Sequence, residues 1–347
     1  MTSGSTLREG SELIKATRAY GQEDVSMTWR LFATTCLVAI TAYALTLVDA
    51  LGPFRYLASA VLGLTIVRVF IFYHDCLHGA VFRKSKLGHA LMAVYGVFVL
   101  TPVQVWKDSH NYHHAHTSKL VGSSIGSYPI LTKRMYATLT PWQRFQYRMV
   151  RHWSIMLFGY VFIFLLGMCI KPLLKAPRRN WSAAVVMVAH YGLMALSVHY
   201  LGWERTWLSF LLPVAIACAS GSYLFYAQHT FEGVEIQDRQ HWEFTLAALR
   251  SSSMTDMSPL MHWFTGNIGF HHVHHLNSMI PFYRLPVAMA EVPELQMPIR
   301  TSLKPRDILG CLRLQLWDPQ QKKMVSFKEA RARSTPEAPS TGHAIPG

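Results

Sequence analysis

The chain contains 347 residues, of which 51% are hydrophobic and only 15% are charged, and its net charge at pH 7 is +14. On a soluble protein this charge would suggest nucleic-acid binding, but the long apolar runs indicate an integral membrane protein with basic cytoplasmic loops. The five cysteines form no C-x-x-C pair, which argues against an iron–sulfur cluster or a zinc ribbon. Any metal would then be held by histidine, carboxylate, amide oxygen or water.

Six apolar runs follow a polar segment at residues 1–30. They cover residues 31–51, 56–73, 90–105, 155–170, 183–201 and 207–227. A run of about 20 apolar residues can cross a bilayer as a helix. Short turns join the first run to the second and the fifth to the sixth, so that each pair forms a hairpin. The chain is therefore predicted to be an all-α integral membrane protein with four transmembrane helices, near residues 31–51, 56–73, 183–201 and 207–227.

Three short histidine clusters follow the ends of apolar runs. They comprise His74 and His78; His110, His113 and His114; and His271, His274 and His275. Gaps of three or four residues place the imidazoles of a cluster on one face of a helix. Neutral imidazole is the commonest nitrogen ligand of iron, zinc and copper. Isolated histidines are usually core or surface residues, but three patterned clusters predict one metal site assembled from distant segments.

A shared metal site constrains the topology, because the three clusters must then lie on one side of the membrane. The runs at 90–105 and 155–170 are therefore predicted to be re-entrant or interfacial, and the basic loop 171–179 to be cytoplasmic. Residues 228–317 contain no spanning run and should form a cytoplasmic helical cap over the metal. Residues 31–317 would then be one domain, and residues 318–347 a disordered basic tail.

In order and spacing, the clusters resemble the H-x-x-x-H, H-x-x-H-H and H-x-x-H-H boxes of the membrane fatty-acid desaturase superfamily. Residues 228–232 (QHTFE), 263–267 (WFTGN) and 274–283 (HHLNSMIPFY) are similar to its acyl-lipid branch, and the similarity covers roughly residues 31–300. The resemblance implies a non-haem diiron centre that uses O2. The ligands that it implies are His74, His78, His110, His113, His114, His229, His271, His274 and His275. The histidines are then ligands, and no separate catalytic acid or base is assigned.

Four polar residues are candidates for supporting roles at the iron centre. Asn267 lies four residues before His271, so that on a helix it would hold an iron-bound water. Asp75, Asp108 and Glu232 are candidate acceptors for imidazole N–H groups. The alternative for these three acids is an ordinary solvated or helix-capping role.

The leading hypothesis is an O2-dependent desaturase that introduces a double bond into the acyl chain of a fatty acid or lipid, presented as an acyl-lipid or an acyl-thioester. An unactivated C–H bond has no acidity for a base to exploit, so hydrogen removal would depend on the two irons. Electrons would come from a donor such as ferredoxin or cytochrome b5, because the chain has no flavin, haem-domain or iron–sulfur motif. An acidic carrier would suit the basic face of residues 75–182, which carry 14 Lys and Arg against two acids.

The protein is expected to be a multi-pass membrane protein, in contact with membrane lipids and not with nucleic acid, with its metal site on the cytoplasmic side. In a bacterium this would be the inner membrane. A hydroxylase or ketolase of the same superfamily, acting on a lipid, alkane or carotenoid, is the alternative. Leu77 replaces a common glycine in the first box and Ala80 a common serine or threonine, which leaves the choice between alkene and alcohol open. A histidine-rich metal transporter is a further alternative, but it predicts ligands near the bilayer midplane.

Overall fold

The structure is a computed structural model that describes residues 8–120, 125–238 and 240–332, and these are mostly helical. The α-helices are α1 Gly10–Ala16, α2 Val25–Thr46, α3 Phe54–His78, α4 Lys86–Phe98, α5 Val103–His116, α6 Lys133–Ala137, α7 Pro141–Val150, α8 Trp153–Leu157, α9 Lys171–Lys175, α10 Trp181–Thr206, α11 Leu212–Ala227, α12 Phe244–Arg250, α13 Pro259–Phe264, α14 His271–Leu276, α15 Leu285–Glu291, α16 Pro305–Arg313 and α17 Phe327–Ala332. Residues Tyr160–Ile170 and Trp207–Leu211 are π-helical. Short 3-10 turns occupy Arg18–Gly21, Asp49–Leu51, Phe282–Arg284 and Pro293–Leu295.

Two small sheets depart from the prediction of an all-α chain. The strands are β1 Leu131–Thr132, β2 Met254–Asp256, β3 Arg300–Ser302, β4 Leu316–Asp318 and β5 Lys323–Val325. In one sheet β4 pairs with β1 in parallel, Leu131 opposite Leu316, and with β5 antiparallel. In the other sheet β2 and β3 pair in parallel, with Met254 opposite Arg300. Strands of two or three residues leave little alternation in a sequence, so apolar patterning alone does not find them.

Three helical stretches in the described residues are long and apolar enough to cross a membrane. They are α2, α3 and the stretch from Trp181 to Ala227, which contains α10 and α11. The pair α4 and α5, bent by 93°, would add a fourth crossing if it were one broken span. The alternative for this pair is a re-entrant loop, as the sequence predicts for residues 90–105. The predicted total of four crossings remains a prediction.

The third stretch folds back on itself at Gly202. This glycine has φ 80° and ψ 169°, a conformation outside the helical region that glycine adopts without steric cost. Ser197 Oγ lies 2.9 Å from Thr206 Oγ1, although nine residues of a straight helix would rise about 13 Å. The rings of His190 and Phe210 are likewise 5.2 Å apart. The turn expected near residues 202–206 is therefore present, and it joins two helical arms.

The two hairpin turns meet at one end of the molecule. Arg55, at the start of α3, donates to Glu204 over 2.8 Å, and Arg205 pairs with Asp49. Helix α3 has 25 residues and so extends about 37 Å from this corner. Its far end carries His74 and His78, and the helix ends there because Gly79 adopts a left-handed φ of 72°. The fold thus places the first histidine cluster far from both turns.

Helix α3 is central among the long apolar helices, and it packs against both α2 and α11. A Cβ atom added to Gly63 would lie 2.9 Å from the Ile216 side chain and from the Pro213 carbonyl oxygen. The missing side chain therefore lets α3 and α11 approach closely. The observed bounds of α2 and α3 differ from the predicted spans by up to six residues. Helix α2 begins and ends earlier than predicted, and α3 extends beyond its apolar run at both ends.

The predicted domain limits also need correction. The segment before residue 31 is more than a polar leader, because α2 already begins at Val25 with Asp24 as its N-cap, and Leu13 is buried. Arg8 forms an ion pair with Glu294 over 2.8 Å, which ties this segment to the 3-10 turn Pro293–Leu295. The predicted disorder from residue 318 is wrong for residues 318–332, which contain β5 and α17. The rest of the predicted tail, 333–347, lies outside the described residues.

Candidate metal centre

All nine predicted histidine ligands come together in the structure. Helix α3 supplies two of them, α5 three and α14 three, and His229 lies two residues beyond α11. They form two groups, and within each group the candidate ligand atoms lie within 4.8 Å of one another. The first group is His74, His78, His110, His114 and His274; the second is His113, His229, His271 and His275. Helical spacing explains the division of α5, because His110 and His114 share one face while His113 points to the neighbouring group.

The ring nitrogens of each group face one another closely. In the first group His110 Nε2 lies 3.0 Å from His74 Nε2 and 3.1 Å from His114 Nε2, and His274 Nε2 is 3.1 Å from His114 Nε2. The first group thus joins α3, α5 and α14 through atoms far apart in the sequence.

The second group is equally tight. His229 Nε2 lies 3.0 Å from Nε2 of both His113 and His271, and His275 Nε2 is 3.1 Å from His271 Nε2. The two groups adjoin, since the stacked rings of His114 and His275 have centroids 4.2 Å apart. The nine imidazoles therefore form one contiguous cluster that contains two candidate metal positions.

These contacts fit cations better than they fit hydrogen bonds between imidazoles. His229 Nδ1 lies 2.9 Å from the carbonyl oxygen of Ser251, which can only accept, so Nδ1 carries the proton and Nε2 a lone pair. That lone pair faces two more ring nitrogens at 3.0 Å. Since a neutral imidazole has one N–H, such crowded nitrogens repel unless a cation lies between them. His78 Nε2 is likewise buried without a hydrogen-bond partner among the described residues.

Burial keeps these imidazoles neutral, which is the form that binds metal. Desolvation lowers the pKa of His229 to about 4, well away from neutral pH. Desolvation is also the main cause that lowers the pKa values of His271 and His275, and the neighbouring imidazoles lower them further. Nitrogen donors without thiolate suit iron, zinc or copper.

Asp75 is the predicted supporting acid that the structure places at the centre. Its carboxylate is buried, lies 2.8 Å from His74 Nδ1, and accepts a second hydrogen bond of 2.7 Å from the backbone N–H of Phe282. This carboxylate holds the ring so that Nε2 faces the other imidazoles, as outer partners of metal-binding histidines commonly do.

The remaining supporting candidates take other positions. Asp108 is on the surface, where it pairs with Arg179 over 2.7 Å and accepts from Gln104, and Glu232 is exposed. Asp108 and Glu232 are therefore solvated surface acids, which was the alternative to a role beside the imidazoles. Asn267 was expected to lie on the same helix as His271. This is wrong, because α13 ends at Phe264 and α14 begins only at His271. Asn267 has φ 56° and donates from Nδ2 to the Phe282 carbonyl oxygen over 3.2 Å.

Three partners of the imidazoles were not expected from the sequence. Ser127 Oγ lies 2.6 Å from His113 Nδ1, Thr117 Oγ1 lies 3.3 Å from His275 Nδ1, and the Ser251 carbonyl accepts from His229. Thr117 follows His113 by four residues, a spacing that places it near the centre but does not indicate its contact with His275. Ser127 and Ser251 are in loops whose position no spacing rule reveals.

An apolar cavity of about 590 Å³ adjoins both groups of imidazoles. It is lined by His74 and His110 of the first group and by His271 of the second. Most of its apolar lining side chains come from α3, α11 and the π-helical segment Tyr160–Ile170. Pockets of this size hold small organic ligands, so a flexible hydrocarbon chain can lie beside the two candidate metal positions.

Comparison with known proteins agrees with this geometry. Residues 51–300 match the family model described as fatty acid desaturase. The chain is 33% identical over 268 residues to a fatty acid desaturase of Bacillus subtilis, an alignment that covers 76% of this chain and 74% of that protein.

Two more distant relatives have more specific names. An omega-6 fatty acid desaturase, chloroplastic, of Brassica napus is 25% identical over 277 residues, which cover 74% of this chain and 59% of that protein. An sn-1 acyl-lipid omega-3 desaturase (ferredoxin) of Synechocystis is 24% identical over 240 residues, 62% of this chain and 61% of that protein. The matched part of the chain thus spans about three fifths of these two relatives.

The family match covers well over half of the chain and includes all nine histidines. The resemblance drawn from the histidine boxes is confirmed, and the apolar helices agree with association with a membrane. The chain belongs to the fatty acid desaturase family and is an enzyme of that family.

Proposed function

We propose that the protein binds two iron ions through its nine imidazoles and uses O2 to introduce a double bond into the acyl chain of a fatty acid or membrane lipid. One observation carries the proposal: imidazoles from four separate segments form two adjoining groups beside an apolar cavity. Iron bound in such a site supplies the oxidising power that removes hydrogen atoms from an unactivated C–H bond. The printed names of the relatives from Bacillus, Brassica and Synechocystis support this class of reaction.

The residues of the chain would position the substrate and exclude water. The cavity holds the acyl chain against His74, His110 and His271, so that one C–C bond lies next to the centre. Trp106 stacks on His110 with ring centroids 4.3 Å apart, and Phe225 lies 4.8 Å from His113. These apolar rings shield the imidazoles on the cavity side. Asp75 and the Ser251 carbonyl hold ring orientations during turnover.

Expression in a host that lacks such an enzyme tests the proposal. The purified protein should contain two irons per chain, and lipid mass spectrometry should find acyl chains two mass units lighter. His113→Ala should lose iron and all new product, because it removes a ring nitrogen from the second group. His241→Ala is the matched control, since His241 is exposed and outside both groups.

Each other outcome contradicts part of the proposal. A purified protein that forms the product but contains no iron would contradict the diiron centre. A product sixteen mass units heavier would favour the hydroxylase alternative over desaturation.

We further propose a multi-pass arrangement with the metal centre on the cytoplasmic side. The corner of Arg55 and Glu204 and the histidines occupy opposite ends of α3, and basic residues crowd the loop that follows Lys171. Trp203→Cys should react with an impermeant maleimide in intact cells, while Lys304→Cys should react only after lysis. The unsubstituted chain gives the background of the five native cysteines. The reverse labelling would contradict this orientation.

Electrons are proposed to come from a small acidic carrier such as ferredoxin, which the name of the Synechocystis relative mentions. In the first group His78 and His114 are only half-buried, so the centre approaches the surface there. Lys107 is exposed and lies seven residues before His114 on α5, on the same face. Lys107→Glu should raise the KM for reduced ferredoxin and leave the iron content unchanged, whereas exposed Lys304→Glu should change neither. An unaltered KM in Lys107→Glu would contradict this docking site.

A further inference from the structure

The apolar cavity has one charged residue in its lining, Lys171. This lysine is exposed, as are three other lining residues, Ile125, Val150 and Phe162. The cavity therefore reaches the surface, and Lys171 is one of the lining residues exposed there. The Lys171 ammonium group forms no ion pair with any residue in the described parts of the chain. The cavity therefore combines an apolar interior with one unpaired positive charge at its mouth.

The surroundings of the mouth are basic as well. Lys175, Arg178 and Arg179 follow Lys171, and the sequence contains no acid between Asp108 and Glu204. Asp108, the acid next to the lining residue Ser109, is neutralised by Arg179 over 2.7 Å. This ion pair also ties the basic loop to α5, whose Ser109 lines the cavity. Among the described residues no carboxylate lines the cavity, so an anion inside its mouth would face no acidic lining residue.

Two exposed apolar residues show the depth at which this mouth lies. Leu174, three residues after Lys171, is 78% exposed, and Trp181 at the start of α10 is 64% exposed. Exposed tryptophan beside lysine and arginine is typical of the interface between lipid and water. Lys171 is therefore at the level of the lipid head groups. In the cytoplasmic leaflet of a membrane these head groups carry a net negative charge.

We infer that the substrate is an acyl chain esterified to an anionic phospholipid, and that Lys171 selects it by contacting the head-group phosphate. The ammonium group is a compact point charge that suits a phosphate oxygen. The acyl chain of the same lipid would enter the cavity from the bilayer and extend to His74 and His271. This inference rests on the proposed function, because it names the substrate of the same site.

The test uses the iron-loaded full chain in nanodiscs that contain equal amounts of phosphatidylglycerol and neutral diglucosyldiacylglycerol with identical acyl chains. The wild-type protein should convert phosphatidylglycerol faster. In Lys171→Gln this conversion should fall about fivefold, the effect of one cation near a membrane surface, while conversion of the glycolipid is unchanged. Lys171→Arg should keep the preference. Lys175→Gln is the matched control, because Lys175 is one helical turn away and does not line the cavity.

An equal preference in the wild-type protein and Lys171→Gln would overturn the inference. The protein could instead convert acyl-coenzyme A in a manner that depends on Lys171 and convert no bilayer lipid. This outcome would overturn the phospholipid as substrate and identify a soluble thioester that bears phosphate. Absence of product from every lipid would contradict the proposed function instead. Native mass spectrometry of phosphatidylglycerol retained by detergent-solubilised protein then decides the head-group contact: loss of retention in Lys171→Gln supports it, and equal retention overturns it.

Discussion

The carboxylate of Asp75 connects two of the histidine-bearing segments at the level of single atoms. One oxygen is 2.8 Å from His74 Nδ1, and the other accepts from the backbone N–H of Phe282, which follows the third cluster. Both contacts are buried, so water cannot replace either of them. The position of the His74 ring therefore depends on a residue that does not itself face the candidate metal.

Asp75→Asn should lower iron affinity or turnover by about 10- to 100-fold, the usual effect of losing such a partner. The amide keeps the size of the side chain but removes the charge that favours a proton on His74 Nδ1. Iron content and desaturation rate measure the effect. Glu232→Gln is the control and should behave as the unsubstituted protein, because Glu232 is exposed. Full iron content and rate in Asp75→Asn would show that the ring is held by other means.

Spacing identified eight of the histidines, and His229 came from the resemblance alone. The helical period could also have separated the supporting acids. Residues two apart on a helix point about 200° away from each other, so Asp108 faces away from His110 and meets Arg179 instead. Asn267 was misplaced because a non-helical turn precedes α14. Ser127 and Ser251 could not be predicted, since long-range packing of loops brings them to the rings.

Among the structural elements, those held by long apolar runs were predictable and those held by long-range pairing were not. The apolar content of α2, α3, α10 and α11 gives each a strong local signal. Strand β4, in contrast, exists because it pairs with β1, which lies almost 190 residues earlier in the chain. Lys133 also forms an ion pair of 2.6 Å with the buried Asp318. Such pairing orders residues whose composition alone favours disorder.

The close approach of α3 and α11 makes a prediction about stability. Gly63→Ala should destabilise the protein by about 1–3 kcal/mol, because the new methyl group would meet the Pro213 carbonyl oxygen at 2.9 Å. Gly192→Ala on α10 is the matched control, since nothing lies within 4 Å of its added Cβ. This control should be neutral or stabilising by up to about 1 kcal/mol. Thermal unfolding in detergent measures both, and equal effects would contradict close packing at Gly63.

Helix α11 also forms part of the cavity wall, which predicts the effect of a bulky side chain there. Gly221 lines the cavity, and a Cβ added to it meets no atom within 4 Å. Gly221→Leu should therefore fold, but its side chain should occupy space needed by the acyl chain. Conversion of long chains should fall about tenfold or more relative to shorter ones. Gly192→Leu, outside the cavity, should keep the original product profile, and an unchanged profile in Gly221→Leu would exclude this cavity as the acyl site.

Considered as a whole, the molecule joins its long apolar helices to the short helix α14 through the histidines themselves. The requirement of one shared metal site predicted that the clusters meet, and they do so at the end of α3 opposite the corner of Arg55 and Glu204. The nine imidazoles come from α3, α5, α14 and the segment after α11. Bound metal would therefore cross-link elements separated by up to about 200 residues.

Removal of metal should consequently lower the stability of the entire fold. A ligand that binds the folded chain and not the unfolded one stabilises it by about 2.7 kcal/mol at 100 times its Kd. Without a cation, the ring nitrogens at about 3 Å also repel one another. Chelated protein should unfold at a lower temperature, and iron should restore the original value. His241→Ala should gain as much from iron as the unsubstituted chain, whereas His113→Ala should gain less because its second group is incomplete. An unfolding temperature that does not respond to iron would mean that the imidazoles do not share a metal.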